Sequence, residues 1–128
     1  MRSRFSLLVI SAISVAALLA LPASAHHGFG GNTQELVVTG TVVTKLSLAG
    51  PHATMQVRDA KGQVWDVTMA PAPRTAATGL KEGLIPVGAE VRLEGLRNND
   101  PKRFEIKTRR LVWNGRNFDV YPTSTSQR

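Results

Sequence analysis

The chain predicts an all-β fold, a small OB-like barrel of five to six strands with one short helix between strands 3 and 4. Three observations lead there. Between Glu35 and Tyr121, apolar residues alternate with polar ones in short runs. Clusters of Gly, Pro, Asn and Asp separate those runs. The one strong interruption, Ala70-Pro71-Ala72-Pro73, falls after the third run, giving the order three strands, helix, further strands.

The first strand places Leu36, Val38, Val42 and Leu46 on one face, with Val37, Thr39, Thr41, Val43 and Lys45 opposite. Gly40 lies inside it, and a bend or bulge is expected there. Ala49-Gly50-Pro51 is a turn. The second strand sets Ala53, Met55 and Val57 against His52, Thr54, Gln56 and Arg58. Asp59-Ala60-Lys61-Gly62 closes a hairpin, its glycine supplying positive φ. Trp65, Val67 and Met69 share the core face of the third strand. Arg74 to Leu80 is the short helix, with Pro73 in its first turn and Gly79 near its end.

Leu84 to Gly88 leads into a fourth strand with Ala89, Val91 and Leu93 inward. Gly95 to Pro101 is expected to be a turn-rich connection. In the fifth strand the apolar phase passes from Phe104 and Ile106 to Leu111 and Trp113, so a bulge is expected near Thr108 to Arg110. Asn114-Gly115 is the strongest hairpin signal, returning into Asn117 to Tyr121. Both tryptophans fall on the apolar phase, which favours core over ligand-stacking roles.

What precedes the barrel has the layout of a secretory signal peptide over residues 1–25. Arg2 and Arg4 form the basic head, Leu7 to Leu21 the apolar stretch, and Ala23-Ser24-Ala25 the cleavage site. The expected organisation is therefore signal peptide 1–25, flexible lead-in 26–34, barrel domain 35–121 and disordered tail 122–128. Localisation would be periplasmic or secreted, with no membrane span after processing. The chain has no cysteine, which excludes disulfides, thiolate metal sites and Cys nucleophiles.

Removing residues 1–25 leaves 14 basic against 9 acidic side chains, a charge of +5. The segment from Arg97 to Arg116 carries all of it: Arg97, Lys102, Arg103, Lys107, Arg109, Arg110 and Arg116 against Asp100 and Glu105. Such clustering suits an anionic envelope component. Nucleic acid is not expected in that compartment. A charged strand and loop that keep a sheet edge soluble are the plainer alternative.

Cleavage after Ala25 would make His26 the first residue. A terminal amine, the imidazole of His26 and that of His27 form a ligand set suited to Cu(II), so copper is the candidate cofactor. His52 is the only other histidine and the candidate remaining ligand. Reach limits this idea. His26 to Glu35 covers at most ~31 Å, whereas the first strand, if straight, would carry His52 about 45 Å away. A bend at Gly40 and a folded-back lead-in are required.

No catalytic constellation emerges. The pairs Glu90/Glu94 and Asp59/Asp66 read as solvent-facing charges, and neither a phosphate-binding glycine loop nor a zinc signature occurs. The expected role is a non-enzymatic binding or accessory protein.

Several of these residues form a recurrent pattern: His26-His27-Gly28-Phe29, Gly40-Thr41-Val42, Pro51-His52-Ala53, and Asp59 with Gly62 and Trp65. In these the chain resembles an uncharacterised family of small exported bacterial proteins, a domain of unknown function. Pro86-Val87-Gly88 is also similar. Gly50 stands where that family commonly has Asn before Pro-His, and Thr68 where it commonly has Glu after the Trp. The resemblance implies fold and export, and draws attention to His26, His27 and His52 without giving them a role.

Overall fold

The computed structural model describes residues 31–121. Residues 1–30, with His26 and His27, and residues 122–128 lie outside that range. The elements are β1 (Asn32–Ser47), β2 (His52–Asp59), β3 (Val64–Pro71), α1 (Ala72–Ala77), β4 (Glu90–Asn98), β5 (Glu105–Trp113) and β6 (Arg116–Asp119). The sheet order is β3-β2-β1-β4-β5-β6, and a parallel pairing of β3 with β5 closes the first five strands into a barrel. This is the OB-like architecture the alternation predicts, with its one helix between β3 and β4. Among the described residues no helix is long and apolar enough to cross a membrane.

The inward alternation holds in every long strand. Val38, Val42, Leu46, Ala53, Met55, Val57, Trp65, Val67, Met69, Val91, Leu93, Ile106 and Leu111 are all buried in one cluster. Gly40 is the hinge of this arrangement. It pairs with Val91 of β4 on one side and Asp59 of β2 on the other, so β1 changes partners there. A Cβ on Gly40 would sit 2.2 Å from the carbonyl oxygen of Arg58, which explains why no side chain stands at that position. The register slips a little later, between Val42 and Thr44, where Thr44 Oγ1 accepts a hydrogen bond from the Gln56 amide (2.9 Å).

Several boundaries differ from the sequence expectation, among them β6, which spans Arg116–Asp119 and stops short of Tyr121. β1 begins at Asn32, inside the expected lead-in, because Asn32 Nδ2 donates to Leu96 O and the Thr33 amide and hydroxyl both donate to Asn99 Oδ1. β4 runs on through Gly95 to Asn98 where a turn was expected. Gly95 there lets β5 approach so closely that a Cβ would lie 2.0 Å from Lys107 O. Phe104 sits just before β5 and is 36% exposed, off the core face. α1 starts and ends earlier than Arg74–Leu80, with Pro73 in its first turn and Gly79 (φ 98°) reversing the chain after its C-cap.

Other local signals hold. Asn114 and Gly115 both take positive φ (51° and 73°), the pattern of a type I′ hairpin. The β4–β5 ladder jumps from Glu94↔Arg110 to Gly95↔Thr108, leaving Arg109 as the bulged residue. On the core side of that bulge the Thr108 hydroxyl is fully buried without a hydrogen-bond partner. An unpaired buried hydroxyl costs roughly 1–3 kcal/mol. Thr108→Val is therefore expected to raise stability by about 1 kcal/mol in urea unfolding; a destabilised variant would mean that the hydroxyl is satisfied.

Candidate functional site

His52 opens β2, opposite Pro71 at the end of β3, and is half-buried. Burial, and then the positive charge of Lys107, hold its imidazole pKa below the ordinary histidine value. A lowered pKa favours the neutral imidazole, the form that ligates metals. Among the described residues no group of three His, Asp or Glu side chains is arranged to hold a metal ion. The other two candidate ligands, His26 and His27, lie outside the described residues.

The basic segment does not form one uniform stripe. Arg110 lies between Glu94 (3.7 Å) and Asp119, to which its Nε donates. These partners hold its guanidinium pKa above the ordinary value, with the Asp119 hydrogen bond the largest cause. Arg103 reaches Glu105 at 3.8 Å. Lys107 is buried, its ammonium 5.7 Å from the centre of the Tyr121 ring, and desolvation lowers its pKa. Arg116 lies over Phe118 at 4.9 Å. Arg109 is half-buried at the bulge, where its carbonyl accepts from the Val120 and Tyr121 amides. Lys102 is exposed on the β4–β5 connection. The seven cations thus occupy separate environments, because they are spread over β4, the β4–β5 connection, the bulged β5 and β6.

Arg97 is held differently. Its guanidinium lies 5.0 Å from the Trp65 ring centre and 5.1 Å from that of Phe104, and one Nη donates to Pro101 O (3.1 Å). Trp65 and Phe104 meet edge to face at 5.3 Å. Trp65 is buried, as its phase predicts, yet its indole N–H points outward to Asp59 Oδ2 (3.0 Å). Asp59 Oδ1 accepts from the Lys61 and Gln63 amides, both at 2.9 Å. The Trp65 hydrogen bond is the chief reason that the Asp59 carboxyl pKa is lowered. The Asp59-Gly62-Trp65 pattern is thereby explained locally: the carboxylate ties the hairpin together, Gly62 turns it at φ 86°, and the indole anchors it to the barrel wall.

Two surface clefts border these groups. One, about 440 Å³, lies between the β2–β3 hairpin and the β4–β5 connection and is lined by Asp59, Lys61, Gly62, Trp65, Arg97 and Phe104 among others. The second, about 500 Å³, crosses the outer face where β3 meets β5 and carries Thr44, Thr54, Gln56, Asp66, Thr68 and Glu105. Its polar groups are largely tied to one another: Gln56 Nε2 donates to Asp66 (2.9 Å), the Thr68 hydroxyl to Glu105 (3.3 Å), and Asn98 Nδ2 to Glu105 (2.9 Å). Of the four carboxylates expected to face solvent, Asp66 and Glu90 are exposed, whereas Asp59 and Glu94 are half-buried and held by Trp65 and by Arg92 and Arg110. The Arg97 stack had no sequence signal beyond two aromatics and an arginine near two turns.

No known family profile matches the chain, and no curated protein matches it. A crystal structure of a ZRD-deleted mutant of TiaS in complex with agmatine is similar over 76% of this chain and 24% of that one, at 14% identity and a TM-score of 0.49. This chain spans about a quarter of that protein, and a likeness of this degree carries no functional argument.

Proposed function

We propose that the chain is an exported, non-enzymatic binding protein of the bacterial envelope, and that its processed N-terminus binds copper together with His52. The observation that carries this reading is the place of His52: half-buried at the start of β2, beside the Gly50-Pro51 turn, where burial and Lys107 lower its imidazole pKa. A neutral imidazole needs no proton removed before it ligates a metal.

Barrel closure supports the reach that the straight strand made so strained. Asp66 pairs with both Gln56 of β2 and Glu105 of β5, and Asn98, the partner of Asn32, donates to Glu105. The start of β1 is therefore linked to β2 by four strand spacings of ~4.8 Å each around the curved wall, and His52 lies four residues, about 13 Å, further along β2. Six peptide steps separate His26 from Asn32, at most ~21 Å. Lys107 opposes a cation at this place, so the site depends on the amine and both N-terminal imidazoles as well as His52.

Cu(II) titration of protein beginning at His26, followed by electron paramagnetic resonance, tests the reading. One nitrogen-rich site is expected, with His52→Ala weakening it at least about tenfold and changing its spectrum, a loss on the order of 1.4 kcal/mol. Binding should also fade as pH drops and protons compete for the imidazoles. An identical spectrum and affinity in His52→Ala would overturn the shared site. Export has its own check, since the envelope fraction should yield a chain whose first residue is His26.

A further inference from the structure

We propose that the cleft between the β2–β3 hairpin and the β4–β5 connection is an oxyanion-binding site, with the in-plane N–H edge of Arg97 as its recognition element and Phe104 as its apolar wall. The inference is independent of the copper reading and narrower than a basic stripe. It picks out one cation of the seven.

The first support is the way Arg97 is restrained. The perpendicular rings of Trp65 and Phe104 hold its guanidinium from one side, and the bond to Pro101 O fixes its rotation. None of these partners carries a negative charge. Arg92, Arg103 and Arg110 each have a carboxylate partner. Arg97 and Arg116 pair with none among the described residues, and of these two Arg97 is the one held by two rings and a carbonyl. The charge is held in place but not neutralised. The side-chain entropy normally lost on binding is already spent in the fold.

The second support is geometry. The two rings, 5.3 Å apart and edge to face, lie on one side of the guanidinium. Its free in-plane N–H donors keep the arrangement that takes a carboxylate or phosphate through two parallel N–H···O bonds. The cleft beside it is open, is lined by Lys61 on its hairpin side, and is walled by the exposed ring of Phe104. Asp59 also lines it. Its carboxylate is committed to the Trp65 indole and to the Lys61 and Gln63 amides, and Lys61 offsets its charge. An anion carrying a flat apolar body gains a further contact with Phe104.

The probes are inorganic phosphate, phenyl phosphate and glucuronate, titrated into the purified protein with chelator present so that no metal contributes. Binding should shift the Trp65 indole N–H resonance and leave that of Trp113 in place, and phenyl phosphate should bind several-fold more tightly than inorganic phosphate. Arg97→Gln should weaken binding at least about tenfold, Arg97→Lys nearly as much because the fork is lost, and Arg116→Gln less than twofold. Response to the phosphates alone, or to glucuronate alone, identifies the source of the oxyanion. Equal losses in Arg97→Gln and Arg116→Gln would reduce the effect to general charge and overturn the proposal, as would silence from all three probes. Should Arg97→Gln fail to fold, the wild-type spectrum decides: equal shifts of both indoles refute the site.

Discussion

Replacing Gly95 by alanine is expected to destabilise the domain by at least ~3 kcal/mol, although only one methyl group is added. The reason is that the added Cβ would meet backbone. It would fall 2.0 Å from Lys107 O and 2.9 Å from Thr108 Cα, and neither can swing aside without separating β4 from β5. These strands also carry the barrel's closure, since β5 reaches β3 from residues 105–107. Gly31→Ala is the control: no heavy atom lies within 4 Å of its added Cβ, and its stability should match wild type. Denaturant unfolding of the pair separates steric exclusion from any general cost of losing a glycine. A Gly95→Ala protein within 1 kcal/mol of wild type would show that the two strands can part cheaply.

Phe118→Ala should cost about 3–5 kcal/mol, the range for emptying a large buried aromatic site. Phe118 is 1% exposed and heads the fully buried side chains in size, although β6 is only four residues long. Its ring plugs the barrel beside Leu111, its strand partner, and Gly79 after α1. At roughly 4–8 °C per kcal/mol for a domain of this size, the melting temperature should fall by more than 10 °C. Phe104→Ala removes the same side chain from an exposed place and should cost far less in stability. If both variants melted alike, burial would not be what distinguishes them.

The periodicity of the chain made its strands legible because one face of each is buried, and a period-two pattern has only one way to satisfy that. Asn114-Gly115 was equally legible, since two consecutive positive φ angles admit few other residues. Even the bulge at Arg109 showed as a phase slip between Ile106 and Leu111. What escaped was non-local. Gly95 resembles a turn residue until β5 is known to lie against it, and the parallel β3–β5 contact leaves no mark in either strand alone. The same holds for the sites. A charge count cannot separate Arg110, neutralised by Glu94 and Asp119, from Arg97, restrained by two rings and a carbonyl. Those differences arise from which side chains the barrel brings together. Phe104 was misread because it continues the phase of Ile106 while standing one residue outside the strand.

The pairing that closes the barrel also sets a temporal order. Residue 66 meets residue 105, 39 positions away, while β1, β2 and β3 are joined by neighbouring hairpins. Loop-closure entropy must be overcome before such distant contacts return any energy, so the three-strand meander is expected to assemble before the β3–β5 seam and before β1–β4, whose Asn32 and Asn98 lie further apart still in sequence. Until β5 arrives, the outer edge of β3 is a row of unsatisfied backbone groups flanked by Trp65 and Val67. A chain interrupted before residue 105 would keep that edge open, and self-association through it is the hazard built into this route to a closed wall.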